Sequence, residues 1–110
     1  MICDRYDVVV IPFPFAEVPV LKRRPSVVLS GRAFNAANFS TLVAMITSTA
    51  AAAWPSDVFL QDLASAGLRV ACRVRWRLIT VPNQLILKPL GKLGGFDRLS
   101  CEREFANMIS

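Results

Sequence analysis

Three groups of residues in this sequence have side chains suited to chemistry on a phosphate. The first is a run of cations, Lys22, Arg23 and Arg24, followed by Pro25. Proline biases the residue before it toward extended backbone, so the Arg24 guanidinium is expected to project from a fixed position, and its forked donors fit a phosphate. A solvated hairpin loop carrying ordinary surface charges is the alternative interpretation of this cluster.

The second group is a pair of adjacent hydroxyls, Thr47 and Ser48, at the end of an alternating stretch that predicts a strand. A hydroxyl beside a guanidinium can donate to a phosphorane oxygen as charge develops on that oxygen. A threonine that merely ends a strand and a serine that begins a turn would look the same in sequence. Both interpretations therefore stay open at this point.

The third group places Arg73, Arg75 and Arg77 at every second position of a predicted strand. Side chains alternate between the two faces of a strand, so these cations share one face and apolar residues occupy the other. Three cations on one face cannot all be buried unpaired and must meet water, carboxylates or phosphates. The pattern indicates either a nucleic-acid contact or a solvated edge strand.

The composition limits what kind of protein this is. The chain has 110 residues, the size of a single domain spanning residues 1–110. Its net charge of +5 favours polyanionic partners, nucleic acid first among them. Hydrophobic residues make up 54% of the chain, which predicts a subunit interface, most simply that of a homodimer.

The absence of histidine excludes Ser-His-Asp and Cys-His nucleophile systems, paired-imidazole chemistry and every metal site that needs an imidazole. Neither metal-loop carboxylate spacing nor a phosphate-binding glycine motif occurs, so we expect no metal and no nucleotide cofactor. The odd cysteine count and the lack of a secretory signal favour the reducing cytoplasm. The uncharged stretch after Arg32 is interrupted by polar residues and predicts a strand with loops, not a membrane span.

Periodicity predicts a mainly β fold with a C-terminal helix, forming a small SH3-like open barrel. Predicted strands cover residues 8–11, 26–30, 41–47, 57–60 and 70–81. Residues 16–22 and the alanine run 50–53 are predicted loops, and Gly67 a turn. The helix is expected from about Arg98 with Asp97 as N-cap, and its buried stripe is expected to contain Leu99, Phe105, Met108 and Ile109.

Aromatic side chains offer a further possibility, because they could stack on nucleic-acid bases. Those beside β-branched residues, namely Phe13, Phe15 and Trp76, are more typical of a core. Trp54 alone is predicted to lie on a loop, where such residues often flank a site.

The order of motifs along the whole chain resembles the MazF/PemK family of toxins. The first segment of that resemblance is Asp7-Val8-Val9-Val10-Ile11-Pro12-Phe13-Pro14-Phe15, and the second is Lys22-Arg23-Arg24-Pro25 leading to Val27-Val28-Leu29-Ser30. It continues through Met45-Ile46-Thr47-Ser48, Trp54-Pro55-Ser56-Asp57-Val58, Ala66-Gly67-Leu68, Arg75 and Leu90-Gly91-Lys92-Leu93 with Asp97. The series as a whole carries the resemblance.

The resemblance implies a homodimeric, cytoplasmic endoribonuclease of the mRNA interferase type, neutralised by a cognate acidic antitoxin. It implies metal-independent cleavage of single-stranded RNA by 2′-hydroxyl attack, leaving 2′,3′-cyclic phosphate and 5′-hydroxyl ends. By the same resemblance Arg24 and Thr47 are the catalytic pair, with Ser48 and Arg75 in secondary roles. The expected RNA contacts are Lys22, Arg23, Arg73, Arg75 and Arg77.

Three features of the sequence depart from the family pattern, and one of them is Cys72, at a position that the family often fills with serine. Tyr6 stands where the family usually has glycine, which predicts an altered turn near the site, and the first loop lacks the histidine that some members carry. The general base is not identified by the residues, and Glu17 is a candidate that could equally be a surface charge. The alternative functions are a toxin that binds a protein such as DNA gyrase and a degenerate member that binds only RNA or its antitoxin.

Overall fold

The computed structural model describes residues 1–13 and 22–110, and in this part of the chain six strands form one curled antiparallel sheet with a C-terminal helix. The strands lie in the order β4-β5-β3-β2-β1-β6. Their bounds are β1 Asp7–Phe13, β2 Lys22–Val28, β3 Ser40–Ser48, β4 Val58–Phe59, β5 Cys72–Pro82 and β6 Lys88–Lys92. The helices are α1 Arg32–Asn38, α2 Leu63–Ala66 and α3 Gly95–Ile109, and a 3-10 turn covers Asn83–Leu85. The predicted mainly β fold with a C-terminal helix is confirmed.

β1 and β2 form an antiparallel pair that runs from Val8 opposite Val27 to Phe13 opposite Lys22. The prediction began β2 at residue 26, but the strand begins at Lys22 and includes the whole cationic run. Pairing with β1 holds these residues extended, which a single-sequence pattern cannot show. Pro12 is tolerated inside β1 because the β6 pairing on the other side stops at Val10. The rest of the predicted loop, residues 16–21, and Phe15 lie outside the described residues.

The alternation predicted for β3 is confirmed, and it sorts the core into two clusters on opposite faces of the sheet. One face, which we call the helix face, packs against α3 and contains Val8, Val27, Ala44, Ile46, Val74 and Trp76. The other face, which we call the open face, contains Val9, Ile11, Val28, Val43, Met45 and Val81. Both sides of β3 are therefore buried, as its nearly continuous apolar sequence requires.

The sequence prediction missed two short helices, α1 and α2, and the strand β6. α1 follows the predicted breaker Gly31, and its Asn35 is fully buried, donating to the Cys3 carbonyl at 2.9 Å and accepting from the Ser30 hydroxyl at 2.5 Å. α2 ends at Gly67 with φ 73°, so the predicted turn is confirmed, and a Cβ there would meet the Leu90 carbonyl oxygen on β6 at 2.1 Å. Long-range contacts, not local pattern, determine these elements.

The C-terminal helix differs from its prediction in its start and in its buried stripe. α3 begins at Gly95 with Gly94 as N-cap, and Asp97 lies inside its first turn. The buried Asp97 carboxylate instead accepts from the backbone N–H groups of Gln61 and Asp62. Cys101 is buried and Phe105 stacks on Trp76 at 5.9 Å, whereas exposed positions are occupied by Leu99, Met108 and Ile109. Only Phe105 of the predicted stripe packs against the core.

Candidate functional site

The strand register brings Arg24 and Thr47 to the same face of neighbouring strands. β2 pairs with β3 as far as Ser26 opposite Met45, where the pairing stops. Residues two positions along a strand keep the same face, so Arg24 shares the face of Ser26 and Thr47 that of Met45. Arg24 is opposite Ile11 on β1, which belongs to the open face. Both predicted catalytic side chains therefore share the open face, and both are partly buried.

The polar groups of β2 have few partners within the described residues. Lys22 and Arg23 are exposed, and neither makes a side-chain hydrogen bond or ion pair with another residue of 1–13 or 22–110. The Arg24 Nε and the Ser26 Oγ are buried atoms that lack a hydrogen-bond partner there. Buried donors are nearly always satisfied in folded proteins. A partly buried guanidinium with an unused donor is suited to receive an anion.

Ser48 does not share the surface of Arg24 and Thr47. It is the last residue of β3 and lies opposite Cys72, whose side chain is buried on the helix face. Ser48 itself is exposed. Successive residues of a strand point to opposite faces, so the ladder separates the two adjacent hydroxyls.

The arginines of β5 divide into a buried pair and one exposed residue. Arg73 is 3% exposed and Arg75 is 8% exposed, although the pattern had left a solvated face open as an interpretation. Arg73 lies directly opposite Thr47. Arg77 is exposed, within the bulge where Arg75 pairs with Met45 and Leu78 with Ala44.

The partner of the buried arginines is Asp57, whose side chain is fully buried. Its Oδ2 lies 3.0 Å from the Arg73 Nε and 2.9 Å from the Arg75 Nη2. Burial acts to raise the pKa of Asp57, but the hydrogen bond from Arg75, the Trp54 N–H and both arginine charges together lower it. One carboxylate for two guanidinium groups leaves this cluster with a net positive charge beside Thr47.

The same two arginines hold the loop that follows β3. Arg73 donates to the Ala51 carbonyl and Arg75 donates to the Ala52 carbonyl. The Trp54 N–H donates to Asp57 Oδ2 at 3.0 Å, and the Asp57 N–H donates to the Trp54 carbonyl at 3.1 Å. The predicted loop at residues 50–53 is confirmed. These contacts hold the alanine run as a loop, and it does not form a helix.

The residue types and their spacing did not identify Asp57 as part of the candidate site. The signal that could have found it is the arginine alternation, since buried guanidinium groups require a carboxylate. The sequence does not say which carboxylate, because Asp57 reaches β5 only through the β4–β5 pairing of Val58 with Val74.

Tyr6 has the backbone conformation that glycine adopts most easily, with φ 71°. The prediction that Tyr6 alters a turn near the site is wrong, because Tyr6 lies far from Arg24. Tyr6 is buried on the helix face, and its N–H bonds to the Val28 carbonyl at the end of β2 remote from Arg24. Burial raises the pKa of its hydroxyl to about 12.

Glu17, the candidate base, lies outside the described residues, and so nothing in the geometry bears on it. No group of three metal-ligating side chains forms among residues 1–13 and 22–110. Within the same part of the chain, no helix has the length and apolar character to cross a membrane.

Comparisons with known proteins show that several toxin structures share this fold. MazF (Form-I) from Deinococcus radiodurans superposes with a TM-score of 0.78 at 18% identity, covering 99% of this chain and 97% of that one. A MazE-MazF structure (Form-III) from the same organism gives a TM-score of 0.78 at 16% identity, with 99% and 97% coverage. Mycobacterium tuberculosis toxin MazF-mt6 gives a TM-score of 0.73 at 18% identity, covering 92% and 93%.

No curated protein sequence matches the chain. At these identities the structural matches show the fold alone. The family model of the PemK-like, MazF-like toxin of type II toxin-antitoxin systems, however, matches residues 4–109. The chain therefore belongs to the PemK-like, MazF-like family of toxins of type II toxin-antitoxin systems.

Proposed function

We propose that this toxin is a metal-independent endoribonuclease that cleaves single-stranded RNA. The observation that carries the proposal is that Arg24 and Thr47 lie on the open face of neighbouring strands, beside a cluster of net positive charge. An endoribonuclease from a Mycobacterial species is among the similar structures, with 13% identity and a TM-score of 0.75. The toxin family and the site chemistry thus support the same activity.

In the proposed reaction the ribose 2′-oxygen attacks the adjacent phosphorus and the bond to the 5′-oxygen breaks. The 2′-hydroxyl loses its proton to a base, and the departing 5′-oxygen gains a proton. The products are a 2′,3′-cyclic phosphate and a 5′-hydroxyl end. Charge grows on the nonbridging oxygens as the phosphorane forms, and stabilising that charge is the task these residues can perform.

Arg24 and Thr47 are suited to that task because their strands hold them before substrate arrives. The Arg24 guanidinium would bind the nonbridging oxygens, and the Thr47 hydroxyl would donate a hydrogen bond to one of them. Arg24 is paired with Ile11 on β1 and Thr47 is paired with Arg73 on β5, so little reorganisation is needed. Removing one such donor typically lowers the rate by about 100-fold to 1,000-fold.

The other cations have separate proposed roles. Lys22 and Arg23, exposed beside Arg24, would neutralise flanking phosphates, and Arg77 is exposed on β5 for a further RNA contact. Arg73 and Arg75 would contribute positive potential to bound RNA from within the cluster. On single-stranded nucleic acid each phosphate contact contributes about 0.7 to the slope of log affinity against log salt concentration, so Arg23→Ala should lower that slope by roughly 0.7.

Cleavage of a single-stranded RNA by the purified chain in EDTA tests the proposal. Arg24→Ala and Thr47→Ala should each slow cleavage about 100-fold or more, while urea unfolding changes little since neither side chain is committed to a partner in the described residues. Substituting a 2′-deoxyribose at the cleaved position should abolish the cut. Undiminished cleavage by Arg24→Ala would overturn the assignment.

Ser48→Ala provides a comparison at the neighbouring hydroxyl. The ladder puts Ser48 across from Cys72 and Thr47 across from Arg73, so the larger loss of activity is expected from Thr47→Ala. An equal or larger loss from Ser48→Ala would move the catalytic hydroxyl to Ser48, as the secondary role implied by the family resemblance allows.

The partners proposed for this toxin are a second copy of the chain and an acidic antitoxin, in the cytoplasm. Support for the antitoxin comes from the net charge of +5 and from the MazE-MazF structures that resemble this fold. A basic, apolar surface suits an acidic segment that folds on binding. A co-expressed antitoxin of this type should co-purify with the chain and suppress its toxicity, and sedimentation of the free chain should give a dimer mass.

A further inference from the structure

We propose that Trp54 is a stacking platform for an RNA base next to the scissile phosphate, held in place by Arg75 and Asp57. This inference rests on the proposed function, because it assigns a substrate contact to the same site. A tryptophan that is 41% exposed on a loop contributes little to the core, and Trp54 belongs to neither buried cluster. Its position must therefore be explained by contacts outside the core.

The contacts of Trp54 fix its ring without burying it. The guanidinium carbon of Arg75 lies 4.8 Å from the ring centroid, a cation–π distance. Two hydrogen bonds between the backbone of Trp54 and Asp57 close the turn that carries the side chain. The residues before it, Ala52 and Ala53, are exposed and small, so they leave the ring accessible.

The anchoring contacts place this loop beside the proposed catalytic pair. Arg73 stands opposite Thr47 in the β3–β5 ladder and also donates to the Ala51 carbonyl. Arg75, two residues further along the same face, packs its guanidinium over the Trp54 ring. Neighbouring strands lie about 4.8 Å apart, and Thr47 is directly opposite Arg73, so the strand that anchors the loop is one strand spacing from Thr47. A nucleotide whose phosphate lies on Arg24 and Thr47 has its neighbours within reach of this loop.

The chemistry of the platform favours a nucleobase over other ligands. An aromatic ring stacked on a guanidinium presents a flat apolar surface beside a positive charge, which suits a base attached to a phosphate chain. Every base has a flat face, so such a contact tolerates different sequences. It would orient the flanking nucleotide, and Trp54 is thus proposed as an RNA-binding residue.

A binding experiment that does not depend on cleavage tests this proposal. The probe is a labelled 2′-O-methyl RNA pool of random sequence, which cannot be cut by 2′-hydroxyl attack. Trp54→Ala should weaken its binding at least about 5-fold, the low end for loss of one stacked base, and Trp54→Phe should restore most of the affinity. An abasic ribose-phosphate oligomer should bind wild type and Trp54→Ala equally.

The matched control is Phe96→Ala, because Phe96 is 68% exposed on α3, the helix that packs against the other face of the sheet. Its RNA affinity should equal that of the wild type. Tryptophan fluorescence adds a second readout, since the chain has two tryptophans and Trp76 is only 7% exposed. RNA should quench the wild-type emission and leave Trp54→Phe nearly unquenched.

Three results would overturn the stacking role: unchanged affinity in Trp54→Ala, equal weakening on the abasic oligomer, or the same loss in Phe96→Ala. Cleavage of unmodified RNA by the wild-type chain is measured in parallel. If the wild type cleaves while the stacking results fail, only this inference falls. If the wild type cleaves nothing, the proposed function fails independently of what Trp54 binds.

Discussion

The cations of β2 and those of β5 lie in the same sheet but differ in burial and in their partners. On β5, Arg73 and Arg75 are buried, share the Asp57 carboxylate and hold the carbonyl groups of the following loop. On β2, Lys22 and Arg23 are exposed, and Arg24 makes no ion pair within the described residues. The Arg73 Nε, like the Arg24 Nε, lacks a hydrogen bond there, but it lies 3.0 Å from the Asp57 carboxylate. The β5 arginines hold the loop after β3, whereas the β2 cations make no ion pair within the described residues.

The difference shows that a row of arginines in a sequence does not by itself define a binding surface. A buried guanidinium must be paired, so the strand next to the arginines determines whether they face solvent or structure. β4 brings Asp57 to β5, and β2 has no equivalent carboxylate within residues 1–13 and 22–110. Positive charge therefore remains on β2, and one surplus positive charge remains in the Asp57 cluster of β5, beside Thr47.

The largest effect is expected from removing the shared carboxylate. Asp57→Asn would leave two buried guanidinium groups without a counter-charge, and breaking a buried pair in this way costs about 3–5 kcal/mol. Urea unfolding monitored by circular dichroism would measure the loss. Arg24→Ala on β2 should change the free energy of unfolding by less than about 1 kcal/mol, and Glu102→Gln, in an exposed ion pair with Arg5, should do the same.

Similar destabilisation by Asp57→Asn and Arg24→Ala would contradict the division between the two groups of cations. It would mean that the β2 guanidinium is as much a part of the folded structure as the β5 pair.

A smaller effect is expected when acid titrates the same carboxylate. The pKa of Asp57 is lowered in the folded state, so the unfolded chain binds protons more readily. Its contribution to stability is complete above the unfolded pKa of about 3.9 and is lost as the pH falls through the folded value. Wild type should lose stability more steeply than Asp57→Asn below about pH 4, by urea midpoints from pH 7 to pH 2. Parallel curves would contradict the pairing, because Asp4 and Asp62, whose pKa values are also lowered, are present in both proteins.

The smallest effect concerns two serines, Ser26 inside β2 and Ser30 two residues after its end. Ser26 Oγ is buried without a partner in the described residues, so Ser26→Ala should be neutral or stabilise by up to about 1 kcal/mol. Ser30 Oγ donates to Asn35 and accepts from the Leu42 N–H, so Ser30→Ala should destabilise by about 1–2 kcal/mol. Thermal unfolding of the two variants would measure the contrast. Equal destabilisation would show that the fold depends on the Ser26 hydroxyl as well.

The sequence predicted the elements whose pattern is local and strong. β1, β3 and β5 were found because β-branched runs and strict alternation need no knowledge of their neighbours. The start of β2, the short β4 and the whole of β6 were harder to predict, because pairing with other strands determines them. The helix stripe failed because Leu99 and Ile109 are apolar but exposed, while the buried positions include Asp97 and Cys101.

For the candidate site, residue type and order pointed to Arg24 and Thr47, and their assignment as a catalytic pair stays a prediction. Ser48 was included because it is adjacent to Thr47 in sequence. Adjacent residues of a strand point to opposite faces, so the two hydroxyls do not share a surface. The sequence left open whether Arg73 and Arg75 contact water, a carboxylate or a phosphate. In the structure both pair with the Asp57 carboxylate.

Residue types and their order alone determined that this chain is basic, lacks histidine and carries a guanidinium ahead of a strand-end hydroxyl. Tertiary structure alone decided which charges neutralise each other. The physical reason is that pairing depends on distances between strands far apart in the chain: Asp57 and Arg75 are 18 positions apart in sequence yet 2.9 Å apart in space.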